Sequence, residues 1–541
     1  MNKKIILQLL QRAHLKKRSS PDRMILGLLV AGGALLLFLL LYLGWSSYSE
    51  QKIAVLLPQE KTSFYLVLKD RELPPKLKGS PLEALLLTQP SPLPIFAKKN
   101  IGMALVDHEP LLFFRATSRR QVLNSFKELG LEKEKLENRG TEELPIYLYP
   151  QSQNFVFTFV GPYFLISKNT ETLKMIHQVF RGEIPSLKED SGFTKSFAHL
   201  PKDAWSSGYI HLNLFASRDP ASTLLASLQQ MAKGLSFTVR KNQEGFHFNT
   251  FLSLQPEFLK LHVAPLKTSR FTYGLSEALP AEDLAFYMGG LDLGAGWQNT
   301  LNTLNELNPA YAIILEGMLR AQVTRFFGAD VKLEDDIYPL FKGEYALGVY
   351  PQEKAPLQVE LLLTHNDKTA VLEKLKKLRG GFSLLAAQFT PQIKVVELPD
   401  GTISRELVAD PDSLKEIQEE YESYAIDCVE VKESVYGFCH AVSDDLLILS
   451  NHLDGIKKTI DALQGNATRL SEHPVFRQSL SALSHVNDEI TFIDFKNTAE
   501  LIKSHPWASL LLPYLEKLDG ATWIKREFDD GISSEGFVLI K

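Results

Sequence analysis

Apolar and polar positions divide this chain into a short membrane-like leader and a long globular remainder. From Met24 to Trp45 no Asp, Glu, Lys or Arg interrupts the sequence. As a helix this run is roughly 33 Å long, against a hydrocarbon core of about 30 Å. It is longer than the apolar region of a cleaved signal peptide and leaves through Leu43, Gly44 and Trp45 rather than a small-residue cleavage site. Trp45 and Tyr48 suit an aromatic interfacial belt. The pattern predicts one transmembrane helix, 24–45, between a tail, 1–23, and a linker, 46–55.

Beyond the linker the periods change. Phe64–Lys69 alternates like a strand, and Leu111–Thr117 forms a second, followed by a helical pattern for which Ser118 is a candidate cap. IYLY, FVFTFV and YFLIS read as three short strands. Thr170 opens a helix that Gly182 ends, and Tyr209–Phe215 reads as another strand. A hairpin turning at Lys241–Gly245 follows. Short turns between strands point to an antiparallel sheet with helices packed on one face, an α+β fold.

The pattern then repeats. At an offset of 283, Ser167 meets Ser450, Gly182 meets Gly465, Leu187 meets Leu470, Phe193 meets Phe476 and Ile210 meets Ile493. At 286, Gly234 meets Gly520 and Phe251 meets Phe537. At 222, Leu57-Pro58 and Phe64-Tyr65 meet Leu279-Pro280 and Phe286-Tyr287. Ordered blocks of this kind predict a tandem duplication. The first repeat covers 56–255, a linker 256–276, and the second repeat 277–541, with an insertion near 389–424.

Charge fixes direction and narrows the partners. Seven basic residues and one acid precede the apolar run, so the positive-inside rule puts the N-terminus in the cytoplasm and the C-terminal region outside the cell membrane. The whole chain carries −5, so the part beyond the tail carries −11. That acidic balance argues against nucleic acid as a partner. The lipid bilayer, through the N-terminal helix, is the partner the sequence predicts, with an envelope protein or cell-wall component beyond it.

The two cysteines, Cys428 and Cys439, lie in a segment that reads as a hairpin turning at Glu433–Ser434, which sets them opposite one another. Outside the cytoplasm a disulfide and a pair of buried thiols both fit. The pair is not a C-x-x-C redox motif.

Leu57-Pro58 before an apolar strand, Pro339 before Gly343-Glu344-Tyr345-Ala346-Leu347, and Asp444-Asp445-Leu446-Leu447-Ile448-Leu449-Ser450 before a helix and a Leu470…Phe476 segment form a series. In that order the chain resembles a bacterial family catalogued as domain of unknown function 3352. The resemblance implies a membrane-anchored envelope protein and supplies no catalytic residues. Pro162-Tyr163 replaces the acidic pair in the first half.

The search for chemistry yields no catalytic, cofactor-binding or metal-binding residue. His440, His452, His473 and His485 crowd the second half but lack a zinc motif and histidine counterparts in the first. Asp335-Asp336, Asp444-Asp445 and Asp529-Asp530 lack the alternating oxygens of a calcium loop; Asp335 reads as a helix start, the others as turns. Ser49…Lys52 matches S-x-x-K only in letters, Gly289–Trp297 lacks phosphate-loop spacing, and Asn466-Ala467-Thr468 reads as a turn. Two readings stand. One is a non-catalytic binding or scaffold module of the envelope; the other is an envelope hydrolase whose site assembles only in three dimensions.

Overall fold

A computed structural model describes residues 54–541 apart from 71–98, 117, 121, 124–135, 149–154, 216–230, 257–270, 272–273, 308, 353–356, 387–391, 398–401, 409, 433–436, 485–487 and 504–507. The tail, the run Met24–Trp45 and most of the linker therefore lie outside the described residues. Among the described residues no helix is long and apolar enough to cross a membrane. What is described is mixed α/β structure dominated by antiparallel sheet, in two compact units. One contains the described residues up to Val263 together with Arg526–Lys541; the other is Ala264–Lys525.

The first unit contributes β1 (Thr62–Asp70), β2 (Lys99–Val106), β3 (Glu109–Arg115), β4 (Glu137–Asn138), β5 (Tyr147–Leu148), β6 (Val156–Val160), β7 (Tyr163–Ser167), β8 (Ser206–His211), β9 (Ala232–Lys241) and β10 (Gly245–Leu254). Its strands pair in the order β4-β5-β6-β7-β3-β2-β1-β8-β9-β10, all antiparallel. Helices α1 (Thr170–Phe180), α2 (Ser191–Ala198) and α3 (Leu212–Phe215) accompany them. The strand expected over Tyr209–Phe215 stops at His211. Its pairing with β1 ends at Ile210 and with β9 at His211, and the next four residues turn into a short helix.

The second unit contributes β11 (Phe286–Leu291), β12 (Glu344–Tyr350), β13 (Gln358–Thr364), β14 (Gln392–Glu397), β15 (Ile403–Val408), β16 (Leu414–Tyr421), β17 (Tyr424–Val431), β18 (Gly437–Val442), β19 (Leu446–Ser450), β20 (Glu489–Asp494) and β21 (Leu518–Phe528). The order is β16-β17-β18-β19-β13-β12-β11-β20-β21, again antiparallel throughout. β14 and β15 pair only with each other, as a separate ribbon. Helices α4 (Leu293–Leu307), α5 (Pro309–Phe327), α6 (Lys368–Ala386), α7 (Leu453–Gln464), α8 (Pro474–Ser481), α9 (Phe495–Ile502) and α10 (Ala508–Leu515) complete it. The final strand, β22 (Gly531–Ile540), pairs with β10 and belongs to the first unit.

Local chemistry explains the helices that cover each sheet. Asn169 accepts from Glu171 N at 2.9 Å and starts α1, which buries Leu173, Ile176 and Val179. α7 buries Ile456, Thr459 and Ile460. Left-handed glycines, Gly182 at φ 74° and Gly465 at φ 79°, follow the two helices, a conformation that costs a residue with a side chain about 1 kcal/mol or more.

The same contacts occur in both units. Leu187 N donates to Leu57 O at 2.6 Å, and Leu470 N to Leu279 O at 2.8 Å. Gln59 N donates to Pro185 O, and Ala281 N to Thr468 O. The hydroxyls of Ser196 and Ser236 lie 2.5 Å apart, as do those of Ser479 and Thr522. Tyr65 meets Phe193 edge-on in one core, and Tyr287 meets Phe476 edge-on in the other.

Candidate functional site

Strand register supplies a position-by-position comparison of the units. Ser167 of β7 faces Leu111 of β3, and Ser450 of β19 faces Glu360 of β13. One strand further, Leu111 faces Ala104, and Glu360 faces Gly348. Val106 therefore corresponds to Tyr350, Leu111 to Glu360, and, on the covering helices, Ile176 to Thr459. Val106, Leu111 and Ile176 belong to one apolar core cluster. At the matching place the second unit holds a phenol, a carboxyl and a hydroxyl.

These polar groups satisfy one another. Thr459 Oγ1 donates to Glu360 Oε2 at 2.8 Å, and Gln358 Nε2 donates to Glu360 Oε1 at 2.5 Å. Gln352 Nε2 donates to Gln358 Oε1 at 2.6 Å, extending the chain towards the strand end. The Tyr350 hydroxyl lies against the same carboxyl and donates to Pro280 O at 3.1 Å. Gly455 leaves the necessary space: a Cβ there would fall 2.3 Å from Ser450 Oγ and 2.9 Å from Gln358 Nε2.

Glu360 is 0% exposed. None of the ion pairs among the described residues includes it. Burial pushes its carboxyl up to about 7, against the donated hydrogen bonds of Thr459 and Gln358 and the more distant charge of Lys458. Burial also drives the Tyr350 phenol well above its ordinary range. The Glu360 carboxyl can therefore gain or lose a proton near neutrality, but it does so out of contact with solvent.

The sequence offers no motif for this network. Glu360 sits in QVELLLT, an ordinary half-alternating strand; Gln358 shares that strand, and Tyr350 and Thr459 come from two other segments. One signal was available: at the 283 offset Thr459 replaces Ile176, a polar residue on a helix face that is otherwise apolar.

The residues singled out from the sequence do not converge. Cys428 faces Cys439 directly across β17 and β18, with Cα atoms 3.9 Å and sulfurs 1.88 Å apart. The pair occupies the place of Leu148 and Val156 in the first unit. Cys428, Glu430 and Cys439 are close enough to suggest metal ligands, yet the two sulfurs are turned on each other. His440 lies buried opposite Asp427, and His452 sits 3.7 Å from Glu430. His473 sits 3.9 Å from Asp494; burial lowers its basicity and that of His440. His485 is outside the described residues. Asp336 accepts from Lys332 N and pairs with Lys377 at 2.5 Å; the expected helix start at Asp335 is instead a single turn over Leu333–Ile337. Asp530 meets His199, which stacks on Phe251.

The His473–Asp494 contact has a mirror image. Its counterparts are Asp190 and His211, acid and base exchanged, and Asp190 acts on His211 to oppose the lowering caused by burial. Asp190 also caps α2 by accepting from Phe193 N at 2.6 Å. α8 begins with Pro474, whose fixed φ suits the first helical position, and His473 before it makes no side-chain cap bond.

A family model described as protein of unknown function, DUF3352, matches residues 116–513. Comparison with curated proteins returned no match. Among solved structures, crystal form III of TP0453 shares 12% identity over 38% of this chain and 83% of that one, at a TM-score of 0.25. Crystal form IV shares 14% over 32% and 70%, at 0.21.

Proposed function

The chain belongs to the DUF3352 family of proteins of unknown function, and from that premise we propose that it is a membrane-anchored, extracytoplasmic binding or scaffold protein built on a tandem duplication. The uncharged run Met24–Trp45 and its basic flank support the anchor and its direction. Backbone bonds, hydroxyl pairs and aromatic contacts that recur at matching offsets support the duplication.

One observation carries the non-catalytic reading. The carboxyl whose proton affinity is best placed for acid–base work, Glu360, is wholly enclosed by its own partners. A general acid must reach the reacting atoms of a substrate, so this one serves the fold. The β14–β15 ribbon favours binding. It stands apart from the main sheet with Ile393 63%, Val395 60% and Ile403 70% exposed. Two strands alone are marginally stable in water, and an exposed apolar face suits a protein or cell-wall partner.

A photo-cross-linking residue at Val395 in intact cells tests this reading. A discrete adduct that disappears with Ile393→Asp is expected. No adduct, together with turnover of an envelope substrate by the purified protein, would replace binding with hydrolysis. Protease added outside spheroplasts tests the topology; full protection of the C-terminal region would overturn it.

A further inference from the structure

We infer that Glu360 and Thr459 form a protonation-sensitive latch, which holds helix α7 on the sheet of the second unit while the carboxyl is neutral and loosens it once the carboxyl ionises. The geometry supplies each part. Glu360 stands on β13 and Thr459 on α7, and the bond between them joins helix to sheet. Both side chains are fully buried. No cation contacts the carboxyl among the described residues, so its charge has only neutral donors, those of Thr459, Gln358 and the adjacent Tyr350 hydroxyl, to replace lost water. The cheapest relief for a buried, uncompensated carboxylate is hydration. Lifting α7 provides it, because that helix carries Thr459, which is bonded to the carboxyl. The first unit shows that the fold does not need this device: there the same three positions are Val106, Leu111 and Ile176.

Other charged groups on α7 and on the strands packed against it include Asp454 on the helix, Asp427 and Glu430 on β17 and the buried His440 on β18. The Tyr350 hydroxyl of β12 lies against Glu360, and its phenol stays neutral throughout. Lys458 of α7 acts on Glu360 from a distance. Lys457 pairs with Glu419 of β16 at 2.7 Å, and Asp461 accepts from Tyr421 at 2.9 Å. His452, next to α7, sits 3.7 Å from Glu430.

Hydrogen exchange on the full chain in detergent micelles tests the latch, with α1 as the internal reference for α7. Base-catalysed exchange accelerates both helices alike, so the ratio of their protection factors isolates the effect. Between pH 5.5 and 8.5 the α7-to-α1 ratio should fall by about tenfold or more, the size expected when one buried proton is linked to opening. Glu360→Gln should flatten it, and His452→Gln should leave the fall in place. A flat ratio in the unmodified protein overturns the latch, as does an equal fall in Glu360→Gln. Should that variant not fold, the Glu360 carboxyl resonance decides the matter. The latch requires it to titrate in the same interval as the ratio, and a carboxyl that does not titrate there overturns it.

Discussion

Beneath helix α1 the core of the first unit contains Val106, Leu111 and Ile176; beneath α7 the second unit has Tyr350, Glu360 and Thr459 at the same positions of the same strand order. The surrounding contacts are shared, down to a pair of hydroxyls 2.5 Å apart in each unit. The comparison teaches that this architecture specifies strand order and helix docking without specifying the polarity of the middle of its core. A polar group there is tolerated when every donor and acceptor is matched, and Gly455 is the adjustment that makes room.

The strongest way to break the comparison is to transplant the acid. Leu111→Glu places a carboxyl among Val106 and Ile176 with no donor supplied, and should cost about 4 kcal/mol or more at pH 8. The loss should shrink at pH 5, where the carboxyl stays protonated. Denaturant titration at the two pH values checks this, and a loss equal at both would show that crowding rather than charge is responsible.

The second test follows from proton linkage. The folded-state affinity of Glu360 for its proton lies above the ordinary value of 4.5 and reaches about 7. Between those values the folded chain holds a proton that the unfolded chain has released, so stability falls as pH rises through the window and levels off above it. The drop is on the order of 3 kcal/mol. Glu360→Gln should remove that slope and be more stable than the natural protein at pH 8. A variant less stable at both pH 5 and pH 8 would mean that the network needs the carboxyl itself.

Converting the second core to the first is the third test. Thr459→Ile alone leaves Glu360 short of a donor and should cost about 2 kcal/mol. Combined with Glu360→Leu and Tyr350→Val, the same change should recover most of that loss. Additive losses across the three sites would disprove the proposed correspondence with Ile176, Leu111 and Val106. The smallest effect is expected where the units agree. Ser196→Ala and Ser479→Ala each remove one buried hydroxyl pair and should each cost about 1 kcal/mol. Values that differ by much more would show that the shared contact is embedded differently in the two cores.

Much of the fold was legible because it rests on short-range chemistry. The helix after Thr170, its glycine terminator, the hairpin at Lys241–Gly245 and the facing cysteines follow from periodicity and turn residues. Tyr209–Phe215 misled because alternation does not reveal where a partner strand ends, and β8 stops when its pairing stops. The exchange of Asp190 and His211 for His473 and Asp494 was equally hidden, since each position alone looks like a lost match.

The sequence by itself determined the apolar run, the asymmetry of flanking charge, the α+β alternation and the offsets of 222, 283 and 286 at which residues recur. These are properties of neighbouring residues or of one stretch laid against another. Tertiary structure alone decided that Glu360 is buried, that Thr459 and Gln358 meet it, and that β22 pairs with β10, a strand nearly three hundred residues earlier in the chain. The physical reason is that burial and hydrogen-bond partnership depend on which strands become neighbours. A carboxylate in an alternating strand looks the same on paper whether it faces water or the centre of a core.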